Sequence, residues 1–274
     1  RRGEVALGTL GSGNHFLELQ VVDSILDEEA ARAFGLREGQ VTAMIHSGSR
    51  GLGHQVCSDH VENLERCYKR TGNQWYSEKW DITLPDRQLA AAPFHSAEGS
   101  AYFDAMQAAG NFAFANRSAL TQRLRDALHA HLGSDGELEV VYDVCHNIAK
   151  VEEHVIHGQS CTCAVHRKGA TRALGGDHSE LGNRFSGIGQ PVLVPGDMGT
   201  YSYVLAGPKS GSNAAFSSSC HGAGRQMSRS QARREINGGK LQDELAAKGI
   251  DIYANTPNVL SEEAPDAYKD IDEV

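Results

Sequence analysis

Residues 100–132 hold no proline and keep helical spacing almost end to end, with Gly110 as the one point that invites a break. The second half of that span, "RSALTQRLRDALHAHL", is plainly amphipathic, and "GSDG" at 133–136 is a turn signal. The other apolar runs are short and strand-like. Together they commit the chain to a mixed α and β organisation without repeats or low-complexity segments.

Further helices are expected at 23–34, which opens with Asp and carries acids in its first turns, at 54–70, with Val61, Leu64 and Tyr68 in helical register, and at 227–236. Strands are expected at 40–46, 137–144, 190–196, 200–206 and 250–254. They interleave irregularly with the helices, so strict βαβ alternation is not expected. No Pro/Ser-rich linker divides the 274 residues, which predicts one domain. The opening residues lack Met and enter a glycine-rich motif at once, and the last ones end without a closing element, so the chain reads as truncated at both ends.

No run reaches the roughly 18 apolar residues of a membrane span, and no secretory signal is present at the start. Six cysteines in a chain this long do not make a disulfide scaffold, and reduced thiols in a cytoplasmic protein are expected. "CTC" at 161–163 has the wrong spacing for a zinc knuckle. A net charge of −9 argues against non-specific nucleic-acid binding. It leaves room for local cationic ground, and "HRKGATR" (166–172) and "RQMSRSQARR" (225–234) are basic islands suited to phosphates.

The chemistry lies in a recurring theme. Thirteen histidines are present. His15 in "GSGNHFLE", His46 in "IHSGSRGLG", His146 in "VCHNIA" and His221 in "CHGAGR" each sit at a strand-like exit. One such histidine is ordinarily a satisfied polar residue. Four in one context point to a site, because loops on a rigid scaffold gather binding groups and converging neutral imidazoles suit a divalent transition metal. They are expected to share one cleft. His54, His60, His129 and His131 fall on helix faces and read as solvent-exposed, while His154 and His157 stay open. "HSGSRG" places Arg50 among glycines as a candidate phosphate nest, and Lys168 and Arg172 offer a second one. His221 reads as a metal ligand, proton shuttle, nucleophile or loop residue, with Gly222, Gly224, Arg225 and Arg229 suited to a phosphate beside it.

Seven segments, "GTLGSGNHFLE", "HSGSRG", "HNIA", "HRKGATRA", "PGDMGTYSYVL", "HGAGR" followed by "SR", and "EAPDAYKD", stand here in the order found in RtcB-type RNA ligases. The chain resembles that family from about Gly8 to its last residues. The resemblance implies an α+β fold, a single RtcB-like domain with mixed β-sheets flanked by helices and an active-site cleft lined by His-bearing loops. It also implies a GTP- and manganese-dependent enzyme, with two Mn2+ ions, joining RNA 3′-phosphate or 2′,3′-cyclic phosphate ends to 5′-hydroxyl ends. Its partners would be tRNA halves or broken RNA, GTP and an archease-type activating protein.

Carried over motif by motif, His221 matches the histidine that becomes guanylylated, and His15, His46 and His146 match manganese ligands. Asn14, Phe16, Glu18, Asp197, Ser202, Ala223 and Tyr268 match guanylate-contacting positions, with Gly222 and Gly224 beside them. Arg50, Lys168, Arg229 and Arg2 match positions for RNA phosphates, and Arg225 joins them as a neighbour. The family's upstream Asp-x-Gly-x-x-Cys segment and its lysine-bearing tail are not in this sequence, so the fragment is expected to be impaired. A metal-dependent phosphoester hydrolase and a non-catalytic RNA-binding relative are the competing readings. Retention of His221 counts against the second.

Overall fold

The computed structural model describes residues 3–133, 137–211 and 214–274. In chain order it forms β1 (Phe16–Val21), α1 (Glu28–Phe34), β2 (Val41–His46), α2 (Arg50–Glu65), β3 (Lys69–Thr71), β4 (Gln74–Ser77), β5 (Ile82–Leu84) and α3 (Ala97–Leu132). There follow β6 (Asn147–Ile156), β7 (Gln159–Lys168), β8 (Ala170–Arg172), β9 (Pro191–Val194), β10 (Tyr203–Ala206), β11 (Ser218–Cys220), α4 (Arg229–Glu235), α5 (Gly238–Ala247) and α6 (Pro257–Glu262). The α+β class is the one expected. The sheets are small, two or three strands each, and every strand pair whose register is defined is antiparallel. The backbone divides into two compact units, Arg1–Gly11 with Ile45–Leu138 and Ser12–Met44 with Glu139–Val274.

The first unit is organised on α3, which runs through Gly110 unbroken. Ser96 caps its start by accepting from the Gly99 N–H at 3.0 Å, and Gly133 (φ 65°) closes its end. One glycine costs a helix only about 1 kcal/mol, and the buried Ala109 and Ala113 on either side give α2 a smooth face to pack on. Asn116 is fully buried (0% exposed) and acts as the knot of this unit. Its Oδ1 accepts from the backbone N–H groups of Gly8 (2.7 Å) and Thr9 (3.1 Å). Its Nδ2 donates to Thr9 O, Ser47 Oγ and Gly48 O, each at 3.1 Å. Every donor and acceptor of that amide is used, as burial demands.

The second unit has its core at Ala173, Val192, Val194, Ala223 and Ile271, with Tyr203, Cys220 and Tyr268 packed against it. Its largest element is the β6–β7 hairpin, ten residue pairs from Asn147↔Lys168 to Ile156↔Gln159. Its two-residue turn, His157 (φ 50°) and Gly158 (φ 79°), has both φ angles positive, the primed geometry that matches strand twist. Segment 137–144 is irregular instead of a strand: Val140 is exposed, its other apolar side chains are half-buried, and Tyr142 meets Phe185 edge-on at 5.6 Å with no neighbouring strand paired to it among the described residues. Segment 250–254 is likewise no strand. It trails the C-terminus of α5, where Gly249 (φ 79°) turns the chain and the Ile250 N–H reaches back to Leu245 O at 2.9 Å. The first helix begins late, at Glu28, because Asp27 caps it through the Glu29 and Ala30 N–H groups at 3.0 Å.

Candidate functional site

His221 leaves β11, and His146 precedes β6. Their rings stack with centroids 4.0 Å apart and planes 4° from parallel. Between them runs the β7–β8 connection. Gly169 (φ 70°) donates its N–H to His146 O and to Asn147 Oδ1, both at 3.1 Å. A Cβ on Gly169 would stand 3.4 Å from the His221 ring, so this position suits glycine on two counts. Burial holds the pKa of His221 below the usual histidine value, and the Lys168 charge pushes the same way. The result is a neutral imidazole at neutral pH, with a nitrogen lone pair free of a proton.

That pair fits two different roles. Ring lone pairs lie in the ring plane, so two parallel rings 4.0 Å apart do not aim at a single cation. Among the described residues no three His, Cys, Asp or Glu side chains are grouped to hold one metal ion. His146 has the donor chemistry of a manganese ligand, but a finished three-histidine set is not assembled here. His15 stands just before β1 in the second unit, half-buried, and His46 closes β2 within the first.

The guanylate candidates are gathered more fully. Phe16, Glu18 and Gln20 share the half-buried face of β1, where burial alternates residue by residue. Gln20 Nε2 donates to Glu18 Oε2 at 2.8 Å and approaches Ser202 Oγ at 3.4 Å. Burial raises the Glu18 pKa; the Gln20 bond opposes this and the Asp197 charge adds to it. Asp197 opens a turn in which its Oδ1 accepts from the Gly199 N–H at 2.8 Å, and Ser202 Oγ accepts from the Gly196 N–H at 3.3 Å. Glu18, Asp197 and Ser202 are therefore neighbours, and Gln20, which sequence reasoning passed over, links two of them. Its alternation with Glu18 along β1 was the available signal. The Ala223 N–H, expected near a phosphate, is committed to Pro195 O at 3.2 Å. Gly224 (φ 77°) supplies the turn into Arg225.

Tyr268 joins this region through the backbone. The Lys269 N–H bonds Gly224 O at 2.9 Å, and Gln226 and Met227 both donate to Ala267 O. The Tyr268 hydroxyl donates to Glu263 and meets Arg225 Nη1 at 3.1 Å. Arg225 places four of its five N–H donors inside the protein, on Met227 O, Glu262 O, Glu263 and Tyr268, so it shapes the site and offers little to RNA. Lys168 is exposed at the hairpin root, and Asn14 is exposed beside His15. Arg50 (φ 55°) starts α2 in the first unit with its Nε on Thr9 Oγ1 at 3.2 Å. Arg2 lies outside the described residues. Of the open histidines, His154 pairs with Glu152 at 2.9 Å and His157 forms the hairpin turn. Exposure of His54, His129 and His131 is as expected, whereas His60 is half-buried and stacks on Tyr102 at 5.3 Å.

Burial, then the bond to Glu263 and its charge, push the Tyr268 phenol up to about 12. A folded-state pKa above the unfolded value near 10 means the folded chain holds that proton more tightly. The associated stability is present below pH ~10 and is lost as the pH rises through the folded-state value. Ultraviolet titration should show Tyr268 ionising late together with Tyr102, whose phenol burial also pushes up to about 12, with the urea midpoint falling over the same interval. A Tyr268→Phe variant with an unchanged titration curve would refute the assignment.

A family model described as tRNA-splicing ligase RtcB matches residues 1–274. The chain is 50% identical over 278 residues to the tRNA-splicing ligase RtcB of Pyrococcus furiosus, covering 100% of this chain and 28% of that protein. It is 50% identical over 277 residues to the protein of the same name from Thermococcus kodakarensis, covering 100% and 56%. It is also 50% identical over 274 residues to the RNA-splicing ligase RtcB of Mycobacterium bovis, covering 100% and 60%. The chain thus spans less than two thirds of the length of these relatives. A match that runs without a gap in coverage from the first residue to the last, at half identity to such relatives, makes this chain a member of the RtcB family.

Proposed function

We propose that the protein carrying this chain is an RNA ligase that uses GTP and manganese to join RNA 3′-phosphate or 2′,3′-cyclic phosphate ends to 5′-hydroxyl ends through a histidine–GMP intermediate. The observation that carries the reading is the His221 imidazole, kept neutral by burial and stacked on His146 at the mouth of a glycine-lined turn. The names of the relatives supply the substrate class, RNA undergoing splicing.

A nitrogen of His221 attacks the α-phosphorus of GTP, a P–N bond forms, and pyrophosphate departs with the electrons of the broken P–O bond. Glu18, with Gln20 and Ser202 beside it, offers polar groups for a guanine base, and Phe16 on the same strand face offers an apolar one. His146 has the donor chemistry to hold manganese, and on family grounds His15 and His46 would be ligands too in the full-length protein; the ion would supply charge neutralisation at phosphate oxygens. Lys168 and Arg229 are cations for the RNA end. The GMP then passes to the RNA 3′-phosphate, and attack of the 5′-hydroxyl releases it as the new phosphodiester closes.

No two cysteines form a disulfide among the described residues, which is in keeping with a reducing, cytoplasmic compartment. Among the described residues no helix is long and apolar enough to cross a membrane. The archease-type partner stays a proposal on family grounds. The deciding experiment incubates the full-length protein with labelled GTP and manganese. One GMP per chain, lost in acid and kept in alkali, is the expected result. Phosphate release from RNA without label on the protein would make it a phosphoester hydrolase instead.

A further inference from the structure

Glu263, at the end of α6, has no role in the scheme above, yet its carboxylate gathers more candidate site residues than any other group described here. Its side chain is 8% exposed. Oε2 accepts from Arg225 Nη1 at 3.0 Å and from the Tyr268 hydroxyl, and Oε1 accepts from Arg229 Nε at 3.1 Å. The Arg225 guanidinium also lies over the Tyr268 ring, 4.9 Å from its centroid. Next to it, Glu262 takes Arg233 Nη1 at 3.3 Å and stands 3.8 Å from the same Arg229 Nε.

What these contacts leave over is informative. Arg229 is gripped by its Nε edge. Its Nη2 stands 3.7 Å from where a Cβ of Gly13 would be, so the terminal fork faces the glycine loop that carries Asn14 and His15. That fork is the part of arginine that grips a phosphate bidentately. Tyr268 is held at its hydroxyl, which fixes the ring against Arg225. Without the carboxylate, Arg225 would keep its bonds to Met227 O and Glu262 O, but Arg229 would lose its 3.1 Å bond and the Tyr268 hydroxyl its acceptor, and these two side chains would lose their common anchor.

We propose that Glu263 is a positioning residue that couples two subsites, fixing the Tyr268 ring for the guanylate and aiming the Arg229 fork at the phosphate of an RNA end. This rests on the ligase reading of the site. Charge and shape both matter: glutamine keeps the volume but replaces one acceptor oxygen by a donor that faces an arginine.

The test uses the full-length protein with steady-state GMP transfer to RNA. Glu263→Gln is expected to raise KM for GTP and KM for the RNA 3′-phosphate end together, each about 10-fold, with a smaller change in kcat. Tyr268→Phe should raise the first constant only, and Arg229→Met the second only. Glu263→Asp guards against a folding defect. It keeps the charge, draws the carboxylate back by one methylene, and should still raise both constants. Variants that melt at lower temperature but keep both constants would make Glu263 a purely structural residue and overturn the proposal, as would a rise in one constant alone. Wild-type labelling is scored first. Its absence overturns the ligase reading and this inference with it, whereas a labelled wild type beside unchanged variants overturns the inference alone.

Discussion

Replacing His221 by alanine in the full-length protein is expected to abolish GMP attachment, with RNA joining down by on the order of 10⁴-fold or more, the scale seen when a covalent nucleophile is removed. Manganese affinity should stay near the wild-type value, because parallel rings 4.0 Å apart do not aim their in-plane lone pairs at a single cation. His46→Ala should do the reverse, weakening metal binding before it touches the chemistry. Calorimetric titration with manganese beside a GMP-transfer assay separates the two. Equal losses of metal affinity in both variants would mean that His221 is itself a ligand.

The second large effect concerns stability. Arg167 is almost wholly buried, with 2% of its side chain exposed, and it grips Glu152 through both Nη atoms at 2.7 and 2.8 Å. It also donates to Phe216 O at 2.8 Å and Ser218 Oγ at 2.9 Å. Phe216 (φ 55°) and Ser217 (φ 50°) are in the left-handed region, which a phenylalanine enters only when its surroundings compel it. Arg167 therefore holds in place the strained turn that feeds β11 and His221. Arg167→Met strands a buried carboxylate and should cost roughly 3–5 kcal/mol, read from urea unfolding, while Arg167→Met with Glu152→Leu should recover most of it. Burial alone would raise the Glu152 pKa, but the Arg167 and His154 bonds outweigh it and leave the pKa below the usual value. This part of the stability is therefore present above the ordinary carboxylate range and fades as the pH falls through the depressed pKa. A loss under about 1 kcal/mol would place the pair among solvent-screened surface bridges instead.

Local sequence made some of this legible and hid the rest for identifiable reasons. The α3 helix could be read because a continuous helical period needs no information from elsewhere. His221 and the following α4 could be read because glycines and a serine cap punctuate that stretch. The β6–β7 hairpin escaped because its strands mix charged and cysteine residues with the apolar ones. Only pairing reveals that each is the other's partner. The apolar run at 137–144 misled in the opposite direction, since an apolar alternation does not supply the neighbouring strand that a sheet needs, and Val140 stays exposed. Asn116, Glu263 and Gln20 are ordinary polar residues in sequence. Glu18 beside Gln20 and Tyr268 beside Glu263 are near in sequence, but the other partners lie 107, 34 to 38 and 182 positions away, a distance over which no local pattern carries a signal.

The hairpin sets a measure for the site. Asn147, next to His146, is paired with Lys168, so the histidine assigned to metal and the lysine assigned to RNA leave the same end of one ribbon. Their distance from the tip is set by counting: nine pairs lie between Asn147↔Lys168 and the His157–Gly158 turn, roughly 30 Å along the strands. Because side chains alternate between faces, a slip of one residue at that turn would turn every inward group outward. It would also leave His146 opposite a different neighbour. A length error at the exposed tip would thus be read at the root as a change of partner, so the tip of the arm works as the calibration mark for the ruler that the proposed site reads.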